Sequence, residues 1–143
     1  MEITFKTSET TTLTRYYLGN YEEEINAAGN TRKLHYISGS NGLMAIMVRN
    51  GIVDSLYVTY CDFQGNLLAV TDHAGNVKER YAYDPWGHRV NPNDHKQKDT
   101  RQSFLFSRGY TMHEHLDEYG LINMNDRMYD PLMGQFKFLT LTK

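Results

Sequence analysis

The stretch HEHLDE, residues 113–118, gathers the side chains with the clearest capacity for chemistry. If it forms a strand, the side chains of His113, His115 and Asp117 share one face. Two imidazoles and a carboxylate are a possible ligand set for a divalent metal ion. The spacing is not H-E-x-x-H, which excludes the metalloprotease helix. Polar side chains that bond the backbone of a turn explain the same residues. We favour this second interpretation and predict no metal site and no cofactor.

Three aspartates, Asp84, Asp126 and Asp130, could in principle supply paired carboxylates for acid–base catalysis. Asp84 and Asp130 each precede a proline, where an aspartate commonly begins a turn. Cys61 is the only cysteine, which excludes an intrachain disulfide and a thiolate zinc cluster. No triad accompanies this thiol, and we interpret Cys61 as a small buried apolar residue. The sequence therefore assigns no catalytic residue and does not predict an enzyme.

The glycines recur at a nearly constant spacing, which indicates a repeated structure. Successive members of one series are 22 or 23 residues apart, and members of a second series follow them by nine or ten residues. Glycine supplies the positive φ that tight turns need. A period of about 22 residues fits two strands and two turns. The first series is Gly19, Gly42, Gly65, Gly87 and Gly109, and the second is Gly29, Gly51 and Gly75.

Aspartates precede several of these glycines at a fixed distance, which predicts turns of one kind. In YAYDPWGHRV, Asp84 can accept backbone N–H groups, Pro85 fixes φ, and Gly87 can enter the left-handed region. The distance from aspartate to glycine is the same in DFQG and one residue wider in DPLMG. The predicted turn residues are Asp62, Gly65, Asp84, Pro85, Gly87, Asp130, Pro131 and Gly134.

The segments between the turns have the composition and alternation of β-strands. Strands are predicted at 15–21, 32–37, 43–49, 55–60, 66–71, 77–83, 103–111 and 122–129, with a last one in the tail 136–143. Residues 1–12 are an edge strand or disordered. Residues 20–29 are the best helix candidate, although a strand and hairpin fit them equally. The polar segment 90–102 is predicted to be one long exposed loop.

These elements predict a single all-β domain, residues 1–143, made of consecutive antiparallel hairpins. Residues 15–89 hold the hairpin repeats and 103–143 a C-terminal segment, in a twisted meander sheet or partial barrel. Tyrosine, leucine, isoleucine and valine form the core, which Trp86 is expected to cap. The outer strands of such an array have unpaired edges, so we expect self-association or coverage by a longer parent protein.

The bulk properties exclude some classes of partner. A net charge of −2 gives no broad attraction to nucleic acid. No apolar window approaches the length of a membrane span, and the N-terminus lacks the pattern of a signal peptide.

Longer stretches resemble the C-terminal core of bacterial Rhs/YD-repeat proteins. They are YYLGNY, TYCDFQGNLLAVTDHAGNVKERYAYDPWGHR and HEHLDEYGLINMNDRMYDPLMGQF, and the resemblance extends over residues 15–136. In that family, tyrosine-rich hairpin repeats wind into a hollow shell around a C-terminal toxin. In several members the core is also a self-cleaving aspartyl centre. The resemblance thus implies a hairpin repeat that is exported or displayed at the cell surface as part of a larger protein.

The chain departs from the family pattern after Phe136. The second Asp-Pro-x-Gly motif is absent, so the resemblance does not carry self-cleavage to Asp130. The leading hypothesis is a non-catalytic structural segment of a toxin-delivery or cell-surface protein, whose partners are other YD-repeat segments, the parent shell or a second copy. The alternatives are a module that binds carbohydrate or protein through exposed Tyr and Trp rings, and a remnant of the autoprocessing core.

Overall fold

The computed structural model describes residues 2–7, 10–125 and 127–137. Its elements are antiparallel strands and one short 3-10 turn, Tyr110–Met112, so the predicted all-β class is confirmed. Within the described ranges, no helix has the length and apolar character of a membrane span. Two compact units are present. The first comprises Met1–Thr59 with Thr71–Asn76, and the second comprises Tyr60–Val70 with Val77–Lys143.

The first unit is a meander in which each strand pairs antiparallel with the next. Two-residue loops that begin with a positive-φ glycine, Gly19 at +60° and Gly51 at +61°, close two of its hairpins. The helix candidate at 20–29 is a strand and a turn. The strands are β1 (Glu2–Thr7), β2 (Thr10–Leu18), β3 (Tyr21–Asn26), β4 (Thr31–Gly39), β5 (Gly42–Asn50) and β6 (Val53–Cys61).

Side chains alternate between the two faces of this sheet along each strand, and one of the two faces is buried. Leu34, Tyr36, Ile46 and Val48 form its apolar part. A carboxylate lies among them: Glu22 is 1% exposed and accepts a hydrogen bond of 2.8 Å from the Tyr36 hydroxyl. That hydroxyl partner offsets part of the cost of removing the carboxylate from water.

An ionic ladder crosses three strands of the same unit. Glu24 on β3 lies opposite Arg15 on β2 and Arg32 on β4. Its Oε1 is 3.0 Å from Arg15 Nε, and its Oε2 is 3.3 Å from Arg32 Nη1. Glu24 is nearly buried, so these pairs are less screened than surface ion pairs. The ladder therefore favours this strand register over a slipped one, which would separate the charges.

The second unit contains shorter strands in several small groups. A three-stranded sheet has the order β11-β10-β9, and a four-stranded meander runs β12-β13-β14-β15. Its core includes Leu67, Val70, Tyr81, Phe106 and Ile122. The strands are β7 (Leu67–Thr71), β8 (Val77–Arg80), β9 (Ala82–Tyr83), β10 (Arg89–Asn91), β11 (Asp94–Lys98), β12 (Glu114–Leu116), β13 (Leu121–Asn123), β14 (Met128–Asp130) and β15 (Gln135–Lys137).

The polar segment 90–102 is not one long loop, because most of it forms the hairpin of β10 and β11. Asn91 begins the turn, and its Oδ1 accepts the N–H of Asn93 at 2.9 Å. Every side chain of β11 is exposed. A strand that buries no side chain shows no apolar alternation, which is why the sequence pattern did not reveal it.

Several predicted strands are also wrong in whole or in part. The predicted strand 15–21 crosses the loop between β2 and β3, and the predicted strand 77–83 is two strands, β8 and β9. Residues 103–111 are irregular, with a single bridge from Arg108 to Glu114, because their apolar side chains, such as Phe106, enter the core from irregular backbone. Residues 122–129 form two short strands, β13 and β14, separated by a turn in which Asn125 has φ +66°. Asparagine tolerates the left-handed region better than most residues, so it can reverse the chain there.

The two ends of the chain contain the remaining predicted elements. Within 1–12, β1 and the start of β2 are strands, and residues 1, 8 and 9 lie outside the described ranges. Of the tail 136–143, residues 136–137 belong to β15 and the rest lies outside those ranges.

The buried face of the first unit can be tested with two isoleucines on β5 and the loop after it. Ile46 is 0% exposed and Ile52 is 99% exposed. Ile46→Ala should lower the free energy of unfolding by about 2–5 kcal/mol, because it leaves a cavity. Ile52→Ala should change it by less than about 0.5 kcal/mol. Urea unfolding measures both, and equal effects would contradict the assignment of this face as core.

Candidate functional site: repeated aspartate turns and a buried histidine

A five-residue turn that begins at Asp62 shows what the turn aspartates do. Asp62 Oδ1 accepts the backbone N–H groups of Gln64 at 3.1 Å and Asn66 at 2.9 Å. The Asp62 carbonyl accepts the N–H of Gly65, which has φ +85°. The Asp62 N–H donates to the Asn66 carbonyl, which closes the turn. One carboxylate oxygen thus satisfies two N–H groups that the reversal leaves unpaired.

The same pattern of bonds starts at three other residues: Asn26, Asp72 and Asp84. In each, the side-chain Oδ1 accepts the N–H groups two and four residues later, at 2.9–3.0 Å. In each, the glycine three residues later has φ between +83° and +99°. In sequence, these turns are NAAGN, DHAGN and DPWGH, beside DFQGN at Asp62.

The second carboxylate oxygen of the aspartate turns binds the side chain at the fifth position. Asp62 Oδ2 accepts the amide of Asn66 at 2.8 Å, and Asp72 Oδ2 accepts that of Asn76 at 3.1 Å. At Asp84 the partner is His88, whose Nδ1 is 2.6 Å from Oδ2. Both oxygens of each carboxylate are therefore engaged within its own turn.

Asp130 begins a related turn that is one residue wider. Its Oδ1 accepts the N–H of Leu132 at 3.0 Å, and Gly134 has φ +62°. Its Oδ2 is 2.9 Å from Lys137 Nζ. The hydrogen bond from Lys137, helped by backbone N–H groups, lowers the pKa of Asp130. Pro131 is buried. Of the three candidate catalytic aspartates, Asp84 and Asp130 are held in turns, and Asp126 lies outside the described residues.

His115 is buried in the second unit and accepts a backbone hydrogen bond. Its Nε2 lies 2.9 Å from the Tyr110 nitrogen, which donates its N–H. Burial, with Arg89 and His113 nearby, lowers the pKa of His115 well below 6.5. The ring is therefore neutral, and an Nε2 that accepts a hydrogen bond requires the proton on Nδ1.

Close packing around this ring explains Gly109. A Cβ at position 109 would lie 2.6 Å from the Tyr83 hydroxyl oxygen and 2.9 Å from His115 Nε2. The Tyr83 hydroxyl donates to the Leu67 carbonyl at 2.8 Å, and burial raises the pKa of Tyr83. Glycine at 109 is thus required by the space available, whereas the turn glycines are required by φ.

The metal interpretation of HEHLDE requires a set of side chains arranged around one ion. Among the described residues, no three His, Cys, Asp or Glu side chains have such an arrangement. His115 Nε2 is engaged by Tyr110, and His113 Nδ1 is 3.1 Å from Thr111 Oγ1. Asp117 instead accepts a hydrogen bond of 3.0 Å from Arg89 Nε. Of these three contacts only that of His115 is to the backbone, and residues 114–116 form β12, so the turn interpretation is correct only in part.

Arg89 is a buried cation that the sequence analysis did not identify. Besides Asp117, its guanidinium donates to the Ser107 carbonyl at 3.3 Å. Its Cζ lies 4.0 Å from the centre of the Phe104 ring, a cation–π distance. Its Nη1 is buried and has no hydrogen-bond partner among the described residues. No sequence pattern distinguishes Arg89 from the basic residues of the following polar segment.

Trp86 and Cys61 are both more exposed than the sequence analysis predicts. Trp86 does not cap the core, because it is 58% exposed at the tip of the Asp84 turn, where the backbone directs it into solvent. Cys61, predicted to be buried, is half-buried at the end of β6 and forms no disulfide. The turns at Asn26 and Asp72 were missed as site residues. Aligning the chain on Asp/Asn-x-x-Gly-Asn/His, not on glycine alone, would have found them.

A pair of substitutions at Asp72 tests the turn. Asp72→Ala removes the acceptor of the Ala74 and Asn76 N–H groups and should lower the free energy of unfolding by about 1 kcal/mol. Asp72→Asn keeps an acceptor oxygen, as the natural turn at Asn26 does, and should cost less than about 0.5 kcal/mol. Equal losses in urea unfolding would show that the charge, not the acceptor geometry, matters.

His115 predicts a dependence of stability on pH. Below pH 6.5 the unfolded chain binds a proton on this ring that the folded chain excludes, so stability falls as the pH is lowered. Below the pKa of the unfolded chain, the loss approaches about 1.4 kcal/mol per pH unit. The lowered pKa of His113, which also follows mainly from burial, acts in the same direction.

Unfolding measured at several pH values tests this effect. His115→Gln retains an acceptor near Nε2 without titrating, so it should flatten the profile. His95→Gln, at an exposed position on β11, should leave the profile unchanged. An unaltered profile in His115→Gln would contradict a neutral buried ring.

Comparison with known proteins gives a related sequence and related structures. No protein-family model matches the chain. The tRNA3(Ser)-specific nuclease WapA of Bacillus spizizenii is 27% identical over 101 residues, which are 71% of this chain and 4% of that protein. The structure of TcdB2-TccC3 matches with a TM-score of 0.68 at 17% identity, and TcdB2-TccC3 without its hypervariable C-terminal region matches at 0.62 and 18%. Both matches cover 93% of this chain and 7% of the larger one.

These matches concern the fold, and each involves a protein far longer than this chain. The chain spans about 4% of the length of the curated relative and 7% of the matched structures. The two structural matches extend over nearly all of it. The chain therefore has an Rhs-like β fold.

Proposed function

We propose that this chain is a structural β-hairpin segment of an Rhs/YD-repeat protein, in the core region next to the C-terminal payload, and that it has no catalytic role of its own. The observation that carries the proposal is the repeated turn. Four Asp or Asn side chains use one oxygen to bind two backbone N–H groups, and three of them use the second oxygen to bind the fifth side chain.

The carboxylates that would have to react are occupied by backbone donors in this arrangement. A general base needs a lone pair directed at its substrate, and a carboxylic acid needs its proton free to donate. Asp84 and Asp130 instead bind N–H groups of their own turns and the side chains of His88 and Lys137. Lys137 holds the pKa of Asp130 low, which favours the ionised form and opposes a role as an acid.

The relatives support a role as part of a larger whole. This chain resembles about 4–7% of each matched protein, and the structural matches include TcdB2-TccC3 both with and without the hypervariable C-terminal region. The segment matches with or without that variable region, as expected of a scaffold that does not depend on it. We infer that the neighbouring repeats of a parent protein pair with its outer strands, because unpaired strand edges otherwise remain open.

The carbohydrate- or protein-binding alternative has one observation in its favour. Trp86 is largely exposed at a turn tip, where an aromatic ring can serve as a contact surface. Binding through this ring and a structural role for the hairpins are compatible, since the ring is not needed for the core.

A segment exchange tests the structural role. In WapA of Bacillus spizizenii, the 101 aligned residues are replaced by those of this chain. If the segment supplies structure alone, the exchange should leave the tRNA-cleaving activity of that protein within about tenfold of the original. A control exchange that also carries Asp62→Ala, Asp72→Ala and Asp84→Ala should be less resistant to proteolysis.

The outcome that contradicts the proposal is specific. An exchanged protein that is folded by circular dichroism and protease resistance, yet has lost tRNA cleavage, would show that the native segment contributes to the chemistry.

A further inference from the structure

The short turn Tyr110–Met112 in the second unit has an unfavourable backbone conformation. Thr111 has φ +50° and Met112 has φ +60°. The left-handed region brings Cβ too close to a carbonyl oxygen, and a β-branched residue such as threonine is an outlier there. Elsewhere in the described ranges the only non-glycine residue with positive φ is Asn125, and asparagine tolerates it. Two such residues in succession must therefore be held by the groups around them.

The groups that hold this turn come from three other parts of the same unit. The Thr111 N–H donates to Asn66 Oδ1 at 2.6 Å, in one aspartate turn. The Tyr110 hydroxyl donates to the Pro85 carbonyl at 3.1 Å, in a second aspartate turn. The Tyr110 N–H donates to His115 Nε2 at 2.9 Å, on β12. The strained turn thus connects two aspartate turns to the buried histidine.

One of these three acceptors changes with pH. An imidazole titrates at mildly acidic pH, whereas the amide oxygen of Asn66 and the carbonyl of Pro85 do not. A protonated imidazole carries an N–H on both nitrogens and has no acceptor left. His115 Nε2 would then present a hydrogen to the Tyr110 N–H, and an attraction would become a repulsion between two donors. Acid therefore removes the acceptor that holds the first residue of the turn.

The groups that face His115 favour its neutral form while the turn is closed. Arg89 on β10 and His113 before β12 add positive charge, and the centre of the Tyr83 ring from β9 lies 5.7 Å from the centre of the imidazole. Asp117 Oδ1 is 4.0 Å from His115 Nδ1, but the same oxygen accepts a hydrogen bond of 3.0 Å from Arg89, whose charge offsets its attraction. Because the ring is also buried, it takes up a proton most readily after the turn has moved away and water has reached it.

We propose that residues 110–112, here named the latch, open locally when His115 is protonated, so that acid detaches them from the two aspartate turns before the unit unfolds. The strained φ values of the latch favour this opening, because they relax once the turn is free. Each pH unit below about 6.5, the ordinary pKa of a free imidazole, should raise the open fraction about tenfold. This local opening is distinct from the loss of global stability, and it does not depend on the proposed function.

Amide hydrogen exchange of the purified chain, corrected for intrinsic rates and measured from about pH 7 to about pH 4.5, detects the opening. The amides of Tyr110 and Thr111 bind His115 and Asn66 in the closed latch. Their protection should fall about tenfold per pH unit below about 6.5. The amide of Tyr81, bonded to the Leu68 carbonyl at 2.8 Å in the core, reports unfolding of the unit. At each pH it should be protected about a hundredfold or more better than the latch amides.

Three variants separate the latch from a general loss of stability. His115→Gln keeps an acceptor without titrating, so the acid-dependent loss of protection at Tyr110 and Thr111 should disappear. Met112→Gly relieves a positive φ in the closed latch, so opening should require a pH lower by about half a unit. Asn125→Gly is the matched control, a positive-φ position of the same unit outside the latch, and should leave the pH of opening unchanged.

Equal protection of the latch amides and the Tyr81 amide at every pH would overturn the proposal, because the opening would then be global unfolding. So would an acid-dependent loss of protection at Tyr110 that persists in His115→Gln. A shift caused by Asn125→Gly as large as that caused by Met112→Gly would also contradict it. The segment exchange in WapA is judged by nuclease activity, so the two proposals can fail separately.

Discussion

Four chain reversals of this protein depend on an oxygen atom that accepts two backbone N–H groups. Each reversal removes N–H groups from the strand ladder, and every such group must find a partner or water. In the turns at Asn26, Asp62, Asp72 and Asp84, the side-chain oxygen of the first residue supplies that partner, and a glycine with positive φ allows the chain to reach it. Because the first residue provides both the carbonyl and the side-chain acceptor, one residue fixes the start of the reversal and the register of the next strand.

This constraint links the local chemistry to the inferred role. A carboxylate whose two oxygens are bound by donors of its own turn is held in one orientation. Such a carboxylate fixes the shape of its turn. A catalytic role would require it to give up its hydrogen bonds to the donors of that turn. The buried His115 shows the same principle in the second unit, since its neutral ring accepts a backbone N–H instead of meeting solvent. In these turns and at His115, polar side chains with reactive potential are acceptors for backbone N–H groups.

The strands with alternating apolar residues could be predicted from the sequence, since Leu34, Tyr36, Ile46 and Val48 face one side of a sheet. The turns at Asp62 and Asp84 could be placed because the aspartate and glycine are three residues apart. The exposed strand β11 could not, since none of its side chains is buried and no periodicity results. The burial of Arg89 and His115 depends on contacts with Phe104, Ser107 and Tyr110, which come from the irregular segment after β11. Such contacts are set by tertiary packing and leave no local pattern.

Amide hydrogen exchange at the turns tests the central claim most directly. The amides of Gln64, Asn66, Ala74, Asn76, Trp86 and His88 bind a turn aspartate and should exchange more slowly than the unbonded amides of an exposed loop. In the variant that combines Asp62→Asn, Asp72→Asn and Asp84→Asn, this protection should persist, and in the corresponding alanine variant it should be lost at all three turns. Exchange of these amides at unprotected rates in the natural chain would contradict the account.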